Sequence, residues 1–215
     1  MFASLRTRIC IVLTCLMAVS VASAETPSGF LTLVAQARKA SANLFKGSST
    51  VKVPFNGEVE MAFSPDGGGE QLVTKVIQSA TTSLHVMAYS FTSSAVTRAN
   101  LDAKARNSGM PILVVVDYKN NVGQDQSGKA RAALSALHNA GIQVRTVKTF
   151  AIHHDKVVIA DGRTVQTGSF NYSAAAQKSN SENVVVLWNS VAVARPFLDH
   201  FSRNFEAGEP WQTRY

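Results

Sequence analysis

Residues 152–171, IHHDKVVIADGRTVQTGSFN, hold several side chains that fill a protein core poorly but suit a phosphate well. His154 and Lys156 are two positions apart, so on a β-strand both would project from the same face. His153 would point to the opposite face, where we expect it to pack or to reach the surface. An imidazole beside an ammonium offers a nucleophile for phosphorus and a cation for its negative oxygens.

A tight turn is predicted at 161–163, Asp-Gly-Arg, because glycine tolerates the positive φ that such turns need. The turn would fold the chain into a hairpin and return Ser169 and Asn171 toward His154. Gly168 predicts a close approach of two backbones just before Ser169. A hydroxyl and an amide would then join the imidazole and the ammonium at one end of the hairpin.

This spacing, HxKxxxxD from His154 and then GSxN from Gly168, resembles the signature of the phospholipase D superfamily. Three further segments, FSPDGG, MAYSFT and NSENVVVLWN, resemble the small exported, EDTA-resistant bacterial endonucleases of that superfamily. The resemblance covers residues 58–206. It implies a phospholipase D-like α/β/α sandwich that hydrolyses phosphodiesters.

The resemblance also implies a role for each matching residue. His154 would attack phosphorus and form a phosphohistidine intermediate. Lys156 and Asn171 would hold the non-bridging oxygens, and Ser169 would donate a hydrogen bond near them. Glu182 would accept a hydrogen bond from the other ring nitrogen of His154 and so fix its tautomer.

Asp161 belongs to the same signature and is the sixth predicted site residue, but it lies seven residues from His154, at the far end of a strand. That distance favours a structural role for its carboxylate. Asp117, which ends an apolar run, could bind a ligand or cap a loop.

One copy of the motif implies a symmetric homodimer. The implied mechanism needs two histidines, one to attack and one to transfer protons, and larger relatives carry two motif copies. No other histidine here is followed by lysine two positions later, as the four remaining ones show: His85, His138, His153 and His200. Two copies of His154 would therefore face each other across a two-fold axis. The scheme requires neither a metal nor a cofactor.

The elements that must position these side chains alternate along the chain. Strands are predicted at 59–64, 83–91, 111–117, 142–147, 156–161, 164–169 and 183–188, and helices at 70–80, 93–109, about 125–140 and about 191–206. This order predicts one α/β domain with a mixed, largely parallel sheet flanked by helices on both faces.

The first 24 residues predict a signal peptide. Arg6 and Arg8 precede an apolar run at 9–22, and Ala-Ser-Ala then supplies a cleavage site before Glu25. Cleavage would make the protein periplasmic or secreted, without stable membrane insertion; a retained N-terminal anchor is the alternative. Both cysteines lie in this segment, so the mature protein would form no disulfide.

Residues 25–57 are predicted to form an N-terminal arm or linker, and 58–215 a single catalytic domain. With 46% hydrophobic and 16% charged residues, the chain is neither disordered nor a membrane bundle. The formal net charge is +7, which favours a polyanionic partner, either nucleic acid or an anionic lipid surface.

These observations predict a metal-independent, non-specific endonuclease acting on DNA, with RNA as a further candidate substrate. The alternatives are a phospholipase D-type lipid phosphodiesterase and a nucleic-acid-binding protein that no longer turns over. Phosphate contacts could come from five basic residues, Lys119, Lys129, Arg131, Arg145 and Lys148. Three aromatic residues could stack on bases or could equally belong to the core: Tyr89, Phe91 and Phe170.

Overall fold

The computed structural model describes residues 50–213. The predicted signal peptide and most of the predicted arm therefore lie outside the described residues. Residues 50–57 form neither helix nor strand, and regular structure begins at Glu58.

Strands and helices follow the predicted order closely. The strands are β1 (Glu58–Ser64), β2 (Leu84–Ala88), β3 (Ile112–Asp117), β4 (Gln143–Val147), β5 (Lys156–Ala160), β6 (Thr164–Gly168), β7 (Glu182–Trp188) and β8 (Glu209–Pro210). The helices are α1 (Gly69–Ser79), α2 (Ser94–Arg106), α3 (Lys129–Asn139), α4 (Ala174–Lys178) and α5 (Val191–Ala207), with a π-helical turn at Lys119–Gly123.

Serine side chains begin three of these helices. Ser93, Ser173 and Ser190 each accept a hydrogen bond from the backbone N–H three residues later, at the starts of α2, α4 and α5. Such caps satisfy donors that a helix leaves unpaired in its first turn. The local sequence therefore sets where these helices start.

The eight described strands form one sheet in the order β1-β7-β6-β5-β2-β3-β4-β8. The mixed sheet flanked by helices is confirmed, but it is less parallel than expected. Only β2–β3 and β3–β4 pair in parallel, and the other five neighbouring pairs are antiparallel. The reason is local: β5 and β6 are joined by a tight turn, which can connect only antiparallel neighbours, whereas helices α2 and α3 provide the crossovers that parallel pairs need.

Helices cover both faces of the sheet. On one face, apolar side chains of α1, α2 and α3 pack against β2, β3, β5 and β7, with Val73, Val76, Val86 and Val114 fully buried. On the other face, α5 packs through Val193, Ala194, Phe201 and Phe205. Phe91 and Phe170 are fully buried in the first core, so they are core residues and not surfaces for base stacking.

Three short elements were not predicted: the π-helical turn, α4 and β8. Their lengths of five, five and two residues are too short to show a helical or alternating hydrophobic pattern. Within residues 50–213, no helix combines the length and the apolar character needed to cross a bilayer.

Candidate active site

Most of the predicted site residues meet at one end of three neighbouring strands, β5, β6 and β7. Lys156 begins β5, Gly168 ends β6 and Glu182 begins β7, and these neighbouring strands are antiparallel, so the three positions lie at the same end. A cavity of about 570 Å³ opens there, lined by His154, Lys156, Gly168, Ser169, Asn171, Glu182 and Asn183. Five of the six predicted site residues thus share one cavity.

The hairpin that brings them together has the predicted turn. Ala160 pairs with Thr164, and Asp161 and Gly162 both adopt a left-handed conformation, with φ of 55° and 60°. Aspartate and glycine are among the residues that adopt this conformation most readily. At the other end of β6, a Cβ on Gly168 would collide with the carbonyl oxygen of Asn183, so the predicted close backbone approach is present.

Lys156 is a buried cation at the base of the cavity, with 5% of its surface exposed. Its ammonium donates a hydrogen bond to the carbonyl oxygen of His154 at 2.9 Å and lies 5.2 Å from the centre of the Tyr89 ring. Burial lowers the pKa of Lys156 below its ordinary value, and the carboxylates of Asp155 and Glu182 partly offset this effect. A positive charge in such a place interacts strongly with a phosphate because little water screens it.

Glu182 is held by two neutral partners. Ser169 Oγ donates a hydrogen bond to Glu182 Oε2 at 2.5 Å, and Asn180 Nδ2 donates to Oε1 at 3.0 Å. The bond that the resemblance implied between Glu182 and the His154 ring is not among the contacts of the described residues. Instead, the His154 ring packs against Tyr89, with 4.7 Å between ring centres.

Asn171 carries a buried polar atom without a partner. Its Oδ1 makes no hydrogen bond with any of the described residues. Leaving a buried polar group unpaired costs about 1–3 kcal/mol, and such groups are characteristic of sites that bind something else. That oxygen can only accept, but Asn171 also lines the cavity, so the Nδ2 of the same amide can donate to a ligand there.

Asp161 does not belong to this cavity. It lies at the opposite end of β5, where its carboxylate accepts hydrogen bonds from the backbone N–H groups of Thr81, Thr82 and Ser83. Burial opposes its ionisation, but these bonds dominate and lower the pKa of Asp161 to about 2. Its function is structural: it joins the β5–β6 turn to the start of β2.

The sequence analysis did not identify every residue near the site. Asn183, whose backbone N–H donates to Ser169 Oγ at 3.1 Å, lines the cavity; its signal was its place next to Glu182 in the segment NSENVVVLWN. Asp155 and His200 were also missed, although their side chains are bonded beside the His154 segment. Asp155 could have been noticed because it stands between the two motif residues, whereas nothing in the sequence marks His200.

The five basic residues considered for phosphate contacts are scattered. Arg131 and Lys148 line a second cavity of about 860 Å³ together with Tyr118 and Trp211. Arg145 instead donates to the Phe205 carbonyl oxygen at 2.9 Å. The other two, Lys119 and Lys129, are exposed. Among residues 50–213, no group of three or more His, Cys, Asp or Glu side chains is arranged to hold a metal ion.

Known proteins resemble this chain over most of its described length. The family model described as cardiolipin synthase, PLD-like domain, matches residues 73–207. A "Phospholipase D" of Rickettsia bellii is 37% identical over 60% of this chain and 61% of its own. A "Mitochondrial cardiolipin hydrolase" of Danio rerio is 33% identical over 73% of this chain and 63% of its own, so the matches span about three fifths of both relatives.

A solved structure is similar over its full length. It is that of Nuc from Salmonella typhimurium, a phospholipase D family member, with a TM-score of 0.69 and 40% sequence identity. The similarity covers 74% of this chain and all of that one.

Proposed function

The chain belongs to the phospholipase D superfamily, and on that premise we propose that this phosphodiesterase is a metal-independent endonuclease that hydrolyses DNA through a covalent phosphohistidine. RNA is a further candidate substrate. One observation carries the proposal: His154, the buried cation of Lys156 and the side-chain amide of Asn171 line one cavity. That set combines a nucleophile with donors for the oxygens of a phosphodiester.

In the proposed reaction, a ring nitrogen of His154 attacks phosphorus, and the bond from phosphorus to the leaving oxygen breaks. Lys156 and Asn171 stabilise the charge on the non-bridging oxygens. A second, protonated histidine gives its proton to the leaving oxygen and then, as a base, removes a proton from water. The water oxygen attacks phosphorus, the phosphorus–nitrogen bond breaks, and His154 is restored.

The second histidine is proposed to be the partner's His154 in a symmetric homodimer. An exposed apolar strip on the α5 side of β1 supports this assembly, because its three side chains lie on a strand that ends beside the cavity. Val59 is 45% exposed, and Met61 and Phe63 are each 60% exposed. Large apolar side chains that share one sheet face at such exposure favour burial against a second surface. A second copy of this chain suits that surface because each copy supplies only one motif histidine.

A nucleic acid is favoured over a lipid because the cavity is lined by polar and charged side chains and glycine alone. The net charge is +7 for the full chain and +5 once Arg6 and Arg8 are removed with residues 1–24, and both values agree with a polyanionic substrate.

A lipid phosphodiester is the second candidate, and one feature favours it. Phe150 and Ile152, on the segment before His154, are 48% and 49% exposed and could contact a membrane surface. The names of the Rickettsia and Danio relatives agree with this alternative.

The deciding experiment is cleavage of supercoiled plasmid DNA by the purified protein in excess EDTA. The matched variants are His154→Ala and His138→Ala, the second of which changes an exposed histidine on α3. We expect wild type and His138→Ala to nick the plasmid and His154→Ala to be inactive. Cleavage that persists in His154→Ala would refute the proposal. Hydrolysis of phospholipid vesicles without nicking would establish the lipid alternative, and salt-sensitive DNA binding without cleavage would indicate a silent binding protein.

Export is part of the proposal, since residues 1–24 have the features of a signal peptide. Mass spectrometry of the protein from its native host should find an N-terminus at Glu25, in the periplasm or the medium. An intact N-terminus on membrane-bound protein would indicate the retained anchor instead.

A further inference from the structure

The backbone that carries His154 has no regular secondary structure of its own. Residues 152–155 lie between a bend and the first residue of β5, so no complete ladder of sheet hydrogen bonds fixes them. One backbone bond helps: the Tyr89 N–H at the end of β2 donates to the Asp155 carbonyl oxygen at 2.8 Å. The remaining restraints on this segment come from side chains.

Asp155 provides the most direct of these restraints. It stands between His154 and Lys156, and its side chain points away from the cavity, toward α5. Its Oδ2 lies 3.1 Å from His200 Nε2 and 3.3 Å from His153 Nδ1. A single carboxylate oxygen therefore joins the His154 segment to a helix on one face of the sheet.

The neighbours of His200 indicate which of its nitrogens carries the proton. Arg203, one turn along α5, places Nη2 3.3 Å from His200 Nδ1. Asn204, also on α5, places Nδ2 3.0 Å from His200 Nε2, but this amide has another acceptor in the His200 carbonyl oxygen at 3.1 Å. The Asp155 carboxylate only accepts, so its contact with Nε2 requires the proton of the neutral imidazole on that nitrogen, which leaves Nδ1 to accept from Arg203. In this tautomer, which is assigned from the hydrogen-bond network, His200 donates to Asp155.

A second restraint ties the same segment to β3. The backbone N–H of His153 donates to Asp117 Oδ2 at 2.8 Å, and His153 itself is 98% buried, with 2% of its surface exposed. This bond also decides between the two roles considered for Asp117. Its Oδ2 accepts from His153 and its Oδ1 accepts from the Asn120 N–H at 2.7 Å, so both oxygens hold loop backbone. The segment is thus attached to β2, β3 and α5.

The Asp155 carboxylate also acts on the cavity through its charge. Burial lowers the pKa of Lys156, and two carboxylates, those of Asp155 and Glu182, act to raise it. Asp155 has the larger effect of the two. Burial disfavours ionisation of Asp155, but the hydrogen bond from His200 and the nearby charge of Lys156 lower its pKa below the ordinary value. Asp155 therefore remains the counter-charge of Lys156 while it holds the backbone.

We infer that Asp155 and His200 form a clasp that positions the nucleophile: the Asp155–His200 hydrogen bond holds the His154 segment against α5 and fixes where the imidazole stands in the cavity. The inference rests on the proposed function, since it assigns His200 and Asp155 as positioning residues for that site. A small displacement of a reacting group lowers a rate steeply, by about a hundredfold for 1 Å. Neither residue would touch the substrate.

Three variants test the clasp: His200→Ala removes the donor, His200→Gln keeps an N–H donor on a side chain of similar reach, and His138→Ala is the matched control on α3. Hydrolysis of bis(p-nitrophenyl) phosphate gives kcat and KM, and thermal melting reports folding. We expect kcat of His200→Ala to fall about ten- to a hundredfold with little change in KM or Tm, and His200→Gln to recover most of it. His138→Ala should match the wild type.

Wild-type kcat in His200→Ala would overturn the inference, and so would equal losses in His200→Ala and His200→Gln. A second measurement does not depend on activity: ¹⁵N NMR of the imidazoles should show His200 with its proton on Nε2, and Asp155→Asn should shift that signal. A proton on Nδ1 would also overturn the inference. An inactive wild type in which His200 carries its proton on Nε2 would refute the proposed function while supporting the clasp.

Discussion

Ser169 Oγ donates a hydrogen bond to Glu182 Oε2 at 2.5 Å, linking the residue after β6 to the first residue of β7. The same Oγ accepts from the Asn183 N–H at 3.1 Å. The serine therefore orients a carboxylate that lines the same cavity as His154. This geometry assigns Ser169 a positioning role toward Glu182 in addition to the role near the phosphate that the resemblance implies.

Ser169→Ala should lower kcat about tenfold, because a hydrogen bond to a charged group is worth about 1.5–3 kcal/mol and Glu182 would keep only its bond from Asn180. Steady-state kinetics on a phosphodiester would measure the loss. Ser108→Ala, at an exposed position, is the control. Unchanged kcat in Ser169→Ala would show that Glu182 needs no support from the serine.

Inorganic phosphate should bind more weakly at alkaline pH, and the loss should begin below the ordinary lysine pKa of 10.5, since burial lowers the pKa of Lys156. Deprotonation removes the cation from the cavity while phosphate keeps its charge. Lys156→Arg keeps a cation throughout this range, so its affinity should stay level. Isothermal titration calorimetry at several pH values measures this, with Lys178→Arg as the exposed control. The same alkaline decline in Lys156→Arg would contradict the assignment.

Asp161→Asn should destabilise the protein by about 1–2 kcal/mol at neutral pH. A drop in pKa from 3.8 to about 2 corresponds to about 2.4 kcal/mol, and partial exposure reduces that figure. Because the folded-state pKa is lowered, this stability is present above the unfolded value near 4 and is lost as the pH falls through about 2. Urea unfolding at neutral and acidic pH measures it.

The Asp161→Asn experiment needs a control substitution at a carboxylate that is not bound by backbone N–H groups as Asp161 is. Asp102→Asn serves, because Asp102 is exposed on α2. The two variants should differ at pH 7 and converge near pH 2. An equal effect of both substitutions at neutral pH would show that the hydrogen bonds to Thr81, Thr82 and Ser83 contribute nothing measurable.

Met61→Glu should convert the proposed dimer to a monomer and abolish activity, since a charge in the middle of an apolar interface is left without water or a partner. Light scattering would report the mass, and the plasmid assay the activity. Ala136→Glu is the matched control, because Ala136 is exposed on α3, which packs on the opposite face of the sheet from the strip. An active wild-type monomer would refute the dimer altogether.

Local sequence predicted much of the fold. The helices predicted at 93–109 and about 191–206 are present as α2 and α5, capped by Ser93 and Ser190, and the apolar run at 111–117 contains the buried strand β3. The convergence of His154 with Ser169 and Asn171 was also predictable, because two-residue alternation and one glycine-containing turn determine the geometry of a short hairpin.

The sequence by itself thus determined which residues could meet a phosphate and which strands would carry them, since both depend on neighbours a few positions apart. Only the tertiary structure decided the contacts between distant segments. His200 lies 45 residues from Asp155, and Asp161 is bound by residues about 80 positions earlier. Such pairs form because the order of strands in the sheet and the packing of α5 bring remote segments together, and no local spacing records that.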